Sequence, residues 1–223
     1  MRLKPSDIGS CWDHPLARMR ALKVLGFNPT HILDIGAYRG AWSEVMWHVW
    51  PEAHFHLIEA NEDCISYLDQ TGFPYNIALL SDKTKATIYH KCQTGSGEGN
   101  GLYRESSSYP FTQTTKTTAT LDTVCSGRSF GLIKIDVQGA ELDVLRGGGE
   151  LLSRATIVQL ETQIQSYNIS APLAIEVINY MAGLGFRLYD IGEYHYNSRG
   201  MLIQADFLFA RNNCGLFDLE ILT

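Results

Sequence analysis

A short glycine turn is the first feature of this 223-residue sequence whose spacing indicates ligand chemistry. Asp34, Gly36, Ala37 and Gly40 follow the pattern D-x-G-A-x-x-G at the end of the apolar run 31–36. Glycines at such a point let the chain turn sharply and let a ligand approach the backbone, while the following helix presents unpaired N–H groups. A dinucleotide-binding turn has the pattern G-x-G-x-x-G, whose middle glycine makes room for a pyrophosphate. Because that glycine is missing, the turn favours a ligand with a carboxylate and an amine over NAD or FAD.

A carboxylate at the end of the next predicted strand supports a nucleoside ligand. Glu59 lies where the strand predicted over 54–60 ends. A carboxylate at the C-terminal end of the second strand of such a sheet can accept both ribose hydroxyls. A carboxylate at a strand end is more often a solvated loop residue, but the position of this one after the glycine turn favours the functional interpretation.

The third signal is a charge inside an otherwise apolar strand. Asp136 lies near the end of the run 131–137, GLIKIDV, which is apolar at nearly all other positions, as a central parallel strand should be. A charge there is costly unless it is paired or faces a ligand crevice. Lys134 lies on the same face of the strand, so an ion pair between the two residues is the structural alternative.

Alternating strands and helices must position these residues. The strands predicted to alternate with helices cover 31–36, 54–60, 75–80, 131–137 and 156–162. This order is typical of parallel β-α-β units. Two further strands, over 186–192 and 201–211, follow each other without a helix, which predicts an antiparallel pair at the end of the chain.

Composition and charge exclude several classes of protein. Hydrophobic residues make up 45% and charged residues 19%, which excludes a disordered chain. The 18 basic and 24 acidic residues give a net charge of −6, which argues against a nucleic acid partner. Without a signal peptide, a long apolar run or a C-x-x-C pair among its five cysteines, the sequence predicts a cytoplasmic protein with no membrane contact.

We expect one domain over 1–223 that begins with a helical lead-in over 1–30.

Together, the motifs resemble those of the class I S-adenosylmethionine-dependent methyltransferases and, within them, the FkbM family. The segments that carry the resemblance are ILDIGAYRG, IEAN, NIALLSD, TLDTV, LIKIDVQGAELDVLRGG and QADFLFAR. The glycine turn is generic to the superfamily, whereas IKIDVQGAE is specific to the family. The resemblance implies a Rossmann-like α/β fold with a seven-stranded, mostly parallel sheet, the last strand antiparallel, and helices on both faces.

The resemblance also implies S-adenosyl-L-methionine as the cofactor and assigns residues to it. The amino-acid end of the cofactor is expected over Gly36, Ala37 and Gly40, with Asp34 holding the turn or the ligand amine. Glu59 is expected to bind the ribose hydroxyls. The residues expected beside the adenine are Ala60, Asn61, Asn76 and Ala78.

The implied reaction is methyl transfer, in this family commonly to a hydroxyl of a polyketide, a sugar or a related small molecule. The resemblance places Asp136 nearest the sulfonium and the entering hydroxyl. Because an alcohol is barely acidic, a carboxylate or imidazole must help to remove its proton. Asp136, Glu161 at the end of the fifth strand, and His195 in the predicted loop before the last strand are the candidates. For His195, a solvated loop residue is at least as good an interpretation as a catalytic one. For Glu161, the catalytic and the non-catalytic interpretations are equally supported.

A long loop separates two β-branched runs, 86–90 and 114–121, which are predicted to pair as antiparallel strands. The loop, 91–113, greatly exceeds the usual ~4–6 residues. A hairpin tip without function is one interpretation. The other, which we expect, is a lid that is mobile in the free enzyme and determines the choice of acceptor.

Two other functions remain open at this stage. The missing middle glycine disfavours an NAD-linked oxidoreductase, and the presence of Glu59 and Asp136 disfavours an inactive cofactor-binding module. Asp136 with Glu161 could hold Mg²⁺, but the family pattern does not support this and we predict no metal. The expected acceptor is a small molecule or a saccharide.

Overall fold

A computed structural model describes residues 12–93 and 99–217 of the chain. The helices in these ranges are α1 (Asp13–Val24), α2 (Ala41–Trp47), α3 (Ile65–Thr71), α4 (Leu121–Val124), α5 (Glu141–Arg146), α6 (Gly149–Ser153) and α7 (Ala174–Gly183). The strands are β1 (His31–Ile35), β2 (His54–Glu59), β3 (Tyr75–Ile77), β4 (Leu79–Leu80), β5 (Ala86–Cys92), β6 (Phe111–Ala119), β7 (Leu132–Ile135), β8 (Ile157–Gln163), β9 (Phe186–Tyr196) and β10 (Leu202–Arg211). The helical lead-in is therefore seen from Trp12 onwards, and its first part, 1–11, lies outside the described residues.

Seven strands form the main sheet in the order β3-β2-β1-β7-β8-β10-β9. The pairs among β3, β2, β1, β7 and β8 are parallel, and β10 is antiparallel to both of its neighbours. The prediction of a mostly parallel seven-stranded sheet with the last strand reversed is confirmed. Since parallel strands end at one edge, the residues that follow β1, β2, β7 and β8 meet there.

A second, three-stranded sheet has the order β4-β6-β5. The predicted antiparallel pairing of β5 with β6 is confirmed. The strand predicted over 75–80 is divided, because β3 ends in the main sheet at Ile77 and β4 then pairs with β6. The chain thus leaves the main sheet at Ala78, beside the edge at which the predicted site residues meet.

Two apolar cores lie on the two faces of the main sheet. Along β1, Leu33 belongs to one core and Ile32 to the other, as the alternation of side chains in a strand requires. Leu142 of α5 packs in the first core, while Met19 of α1 and Val45 of α2 pack in the second. Helices therefore cover both faces, as predicted. No helix in 12–93 or 99–217 is long and apolar enough to cross a membrane.

Candidate active site

A cavity of about 540 Å³ lies at the carboxyl edge of the main sheet. A volume of this size is typical of a small-molecule or cofactor site. The predicted site residues on its wall are Gly36, Ala37, Glu59, Ala60, Ala78, Asp136, Glu161 and His195. The predicted site residues that do not line it are Asp34, Gly40, Asn61 and Asn76. The structure thus brings together residues from β1, β2, β7, β8 and β9 that are far apart in the sequence.

The glycine turn after β1 packs tightly against the end of β7. Gly36 has φ +75°, and a Cβ atom there would lie 1.7 Å from the backbone oxygen of Asp136. The amides of Gly36 and Ala37 both donate to the Ile58 carbonyl, at 2.9 and 3.1 Å. Gly40, with φ +84°, precedes α2, where a Cβ atom would lie 2.7 Å from Thr71 Cγ2. Gly36 therefore shapes the cavity wall, whereas Gly40 packs against α3 and does not line the cavity. The place of Gly40 beside the ligand stays a prediction.

Asp34 is fully buried behind the turn rather than in the cavity. Its Oδ2 accepts a hydrogen bond from Ser43 Oγ at 2.7 Å, and its Oδ1 lies 3.7 Å from Lys134 Nζ. Burial raises the pKa of Asp34, while Lys134 and Ser43 act in the opposite direction. Of the two roles predicted for this residue, the contacts support holding the turn.

Glu59 reaches the cavity from the end of β2. Its Oε2 accepts the Tyr38 amide and its Oε1 the Asn61 amide, both at 2.7 Å. Burial raises the pKa of Glu59, and these backbone hydrogen bonds partly offset the effect. Each carboxylate oxygen has a second lone pair, so the fixed side chain can still accept hydroxyl groups from a ligand. The Asn61 side chain caps the 3₁₀ turn Glu62–Cys64 instead of lining the cavity.

The wall beyond Glu59 is mostly apolar. Ala60, Ala78 and Leu79 line it, together with Tyr89 from β5, a residue that the sequence analysis did not find. Asn76 was expected here, but its Oδ1 lies 2.7 Å from His56 Nε2, outside the cavity. The polar side chain has its partner on β2, and its place beside the adenine stays a prediction.

Two carboxylates joined by an amide form the opposite wall. Gln138 Nε2 lies 3.2 Å from Asp136 Oδ1 and 3.1 Å from Glu161 Oε2, so it donates to both. Lys134 Nζ donates to Asp136 Oδ2 at 3.0 Å, and Gln204 Nε2 donates to Glu161 Oε1 at 2.5 Å. The ion pair that the sequence offered as an alternative for Asp136 is therefore present, and Asp136 lines the cavity as well.

The surroundings push the pKa values of these two carboxylates apart. Burial raises the pKa of Asp136, but the Lys134 charge and the hydrogen bonds from Glu161, Lys134 and Gln138 outweigh it and leave the value low. Burial, then the charges of Asp136 and Asp206, raise the pKa of Glu161 well above its usual range. The surroundings therefore favour the ionised form of Asp136 and the protonated form of Glu161. Such a pair combines a hydrogen-bond acceptor and a proton carrier in one site.

The rest of the IKIDVQGAE motif holds the turn that carries Gln138. Glu141 Oε1 accepts the amides of Val137 and Gly139 at 3.0 and 3.1 Å. Gln138 has φ +57° and Gly139 has φ +94°, where a Cβ atom would lie 2.7 Å from Ala171 Cβ. Burial raises the pKa of Glu141 to about 7.

We expect Glu141→Gln to be more stable than the wild type at pH 8, by about 2–3 kcal/mol in the free energy of unfolding. The folded-state pKa, about 7, lies above the ordinary 4.5, so the stabilisation by the neutral form is complete below pH 4.5 and is lost as the pH rises through 7. Glutamine keeps the acceptor oxygen without the buried charge. Urea unfolding at pH 4.5 and pH 8 measures the difference.

The matched control is Glu176→Gln, because Glu176 also accepts a backbone amide, that of Leu173, but is exposed. It should show no such pH-dependent gain. Equal gains at pH 8 in both variants would contradict the assigned burial effect.

His195 lies within β9, not in a loop as predicted. Its side chain is 43% exposed, borders the cavity, and has Nε2 3.9 Å from Glu193 Oε1. Strand β9 extends farther than the predicted 186–192, to Tyr196, so the connection to β10 is shorter and His195 is included in the pairing.

The connection between β5 and β6 is anchored over its described part, 99–110. His90 and Gly101 exchange backbone hydrogen bonds at 2.9 and 3.0 Å, and Tyr103 OH donates to Asp143 Oδ2 at 2.8 Å. Asn100, Gly101 and Leu102 line the cavity. These residues thus cover the site in a docked position; mobility of the loop and its influence on acceptor choice stay predictions.

Three further residues of the wall were missed by the sequence analysis. Gln138 and Gln204 bind the predicted carboxylates, and Trp12 borders the cavity from the start of α1. The alternation in QADF, with polar residues at 204 and 206 in an apolar strand, was a usable signal for Gln204.

Among the described residues, no group of three or more His, Cys, Asp or Glu side chains is arranged to hold a metal ion.

The fold is similar to those of several solved structures. The magnesium protoporphyrin IX methyltransferase of Synechocystis PCC 6803, solved with bound SAM, is 12% identical with a TM-score of 0.52, over 90% of this chain and 78% of that one. The precorrin-6y C5,15-methyltransferase of Geobacter metallireducens GS-15 is 8% identical with a TM-score of 0.50, over 88% and 86%. The N-terminal domain of EvdMO1, solved in the presence of SAH and D-fucose, is 12% identical with a TM-score of 0.50, over 94% and 90%.

The sequence comparisons give the family itself. No curated protein matches the chain. The profile described as "Methyltransferase FkbM domain" matches residues 34–188, more than two thirds of the sequence. This range contains the glycine turn, Glu59 and the carboxylate pair, but not Trp12 or Gln204. The chain belongs to the FkbM family of methyltransferases, and its cofactor is S-adenosylmethionine.

Proposed function

We propose that the chain transfers a methyl group from S-adenosylmethionine to a hydroxyl of a small molecule or sugar. The observation that carries this proposal is the pair Asp136 and Glu161, bridged by Gln138 on the cavity wall, in surroundings that lower the pKa of Asp136 and raise that of Glu161. A hydroxyl acceptor needs a proton acceptor beside it, whereas the bound cofactor supplies the electrophilic methyl group. The likeness to the EvdMO1 domain, solved with SAH and D-fucose, supports a sugar among the candidate acceptors.

The cavity has features that fit the cofactor. Glu59 presents fixed carboxylate oxygens for the ribose hydroxyls, and Leu79 and Tyr89 offer apolar surface for the adenine. Gly36 and Ala37 line the cavity where the amino-acid part is proposed to lie. The indole Nε1 of Trp42, a residue of the cavity wall, is buried and has no hydrogen-bond partner among the described residues. A donor in that position fits an acceptor group of a ligand.

The chain's own residues orient the acceptor and move its proton. A hydroxyl beside Asp136 and Glu161 would be held by charge-assisted hydrogen bonds, and a positioned carboxylate contributes typically ~10²–10⁴-fold to the rate by taking the proton. His195 lines the same cavity with a partly exposed side chain, and we propose that it contacts the acceptor near the opening of the cavity. The docked residues 100–102 help to exclude water.

Transfer of a labelled methyl group from S-adenosylmethionine to a panel of hydroxylated sugars and phenols tests the proposal. Calorimetry with S-adenosylhomocysteine tests the cofactor site without an acceptor. A folded protein that bound no S-adenosylhomocysteine at millimolar concentration, or that bound NADH in preference, would overturn the proposal. Binding without transfer to any hydroxylated compound would point to an inactive binding module instead.

We expect Glu59→Gln to weaken S-adenosylhomocysteine binding by about 10–100-fold, that is ~1.4–2.8 kcal/mol. The amide keeps one acceptor oxygen but turns an NH₂ group towards a backbone donor and towards the ribose. Glu62→Gln is the matched control, since Glu62 lies at the same end of β2 with a side chain 68% exposed. Calorimetry on both variants measures the effect, and an equal, small loss in both would remove Glu59 from the site.

A further inference from the structure

The carboxylate pair belongs to a larger cluster with little positive charge. Lys134 Nζ lies 3.0 Å from Asp136 Oδ2 and 3.7 Å from Asp34 Oδ1, so one ammonium group forms ion pairs with two carboxylates. Asp206 lies opposite Glu161 in the pairing of β10 with β8. The described groups that interact with Glu161 are Asp136, Gln138 and Glu141 after β7, Tyr167 after β8, and Gln204 and Asp206 on β10. Lys134 of β7 and His195 of β9 line the same cavity, and Glu193 of β9 faces Asp206.

The hydrogen-bond donors to Glu161 and Asp206 are side-chain amides, not cations. Glu161 accepts from Gln138 and Gln204, and Asp206 accepts from Gln159 Nε2 at 2.6 Å. Among the described residues of this cluster, Lys134 is the only lysine or arginine. A second ionised carboxylate beside Asp136 therefore adds a negative charge that the protein leaves unbalanced. Burial and the neighbouring charges raise the pKa of Asp206 to about 6 as well.

The cavity is open to a ligand at this point. Asp136, Gln138, Glu161 and Gln204 all line it. Trp42 lines it too, and its indole N–H has no hydrogen-bond partner within 12–93 and 99–217. A cation bound there would face Glu161 and Asp136 directly in a medium of low dielectric, where opposite charges within ~4–6 Å strongly favour the ionised form of a carboxyl group.

We infer that binding of S-adenosylmethionine, through its positively charged sulfonium, displaces the proton of Glu161 into solvent and so makes Glu161 the proton acceptor only when the methyl donor is in place. The inference rests on the proposed function and assigns the proton step within it. When the acceptor oxygen bonds to the methyl carbon and the carbon–sulfur electron pair stays on sulfur, the hydroxyl proton takes the place of the one that Glu161 lost. The product is a neutral sulfide, so the protonated state of Glu161 is again the stable one.

Calorimetry in buffers of different ionisation enthalpy at pH 7 counts the protons released when each ligand binds. S-adenosylmethionine and S-adenosylhomocysteine share the adenosine, amine and carboxylate, so their difference reports the methylated sulfur. We expect wild-type protein to release about 0.5–1 proton more with S-adenosylmethionine, and the affinity for it relative to S-adenosylhomocysteine to rise up to about tenfold per pH unit in that range. Glu161→Gln should remove the difference, whereas Glu150→Gln, an exposed site on α6, should keep it.

The outcomes separate this inference from the proposed function. Equal proton counts for the two ligands in the wild type, with both bound, would overturn the inference and leave the cofactor site intact. A difference that persists in Glu161→Gln would also overturn it, because the proton would then come from another group such as Asp206. If neither ligand bound the wild type, the proposed function would fail and the inference with it.

Discussion

Replacement of Gly36 by alanine is expected to lower the free energy of unfolding by about 3–5 kcal/mol and to abolish S-adenosylhomocysteine binding. Two costs add at this residue. An L-residue at φ +75° is strained, and the new Cβ atom would lie 1.7 Å from the backbone oxygen of Asp136. Relief of that overlap requires β1 and β7 to separate where the cavity wall forms. Urea unfolding and calorimetry measure the two effects.

Gly72→Ala is the matched control for this prediction. Gly72 has φ +70°, nearly the same as Gly36, but no atom lies within 4 Å of the Cβ position. It should therefore show the conformational cost alone, about 1–2 kcal/mol, and bind S-adenosylhomocysteine normally. If the two variants lost equal stability, close packing of the turn against β7 would not be the reason for glycine at position 36.

The sheet was predictable because its strands carry their own signals. The strands β1, β7 and β8 are short apolar runs that a turn or a helix follows, and the absence of a helix between β9 and β10 indicated the reversed strand. The division of 75–80 into β3 and β4 was not predictable, since the apolar run continues while its partner changes from β2 to β6. A change of partner is a tertiary property that leaves no mark on a local pattern.

The candidate site was predictable where a residue contradicts its surroundings. Asp136 and Glu59 were found because a charge at the end of a buried strand must be explained. Trp12 and Leu102 were missed because an apolar side chain on a helix or in a loop looks the same whether it faces a cavity or a core. The contact of Asn76 with His56 was not predictable, because the two residues lie on different strands.

Asp136→Asn is expected to lower kcat by about 10²–10⁴-fold while leaving the affinity for S-adenosylhomocysteine within about threefold. The substitution keeps the size of the side chain and one acceptor oxygen, for either Lys134 or Gln138, but removes the charge and the second acceptor oxygen. Because the Asp136 charge raises the pKa of Glu161, its loss also makes Glu161 a weaker proton acceptor. Asp69→Asn is the control, an acidic residue of α3 whose contact with Tyr75 survives in the amide. Steady-state kinetics with the acceptor that the panel identifies measures the effect, and an unchanged kcat would exclude Asp136 from the reaction.

The double variant Asp136→Asn with Glu161→Gln tests whether the two carboxylates act as one unit. Gln138 connects them, and each sets the protonation of the other, so neither is expected to function alone. The loss in the double variant should then be close to the larger single loss, instead of the product of the two. A product of the single losses would mean that the residues act independently, Asp136 on the orientation of the acceptor and Glu161 on its proton. The same cycle measured on S-adenosylhomocysteine affinity should show little change in any variant, which separates the chemical step from cofactor binding.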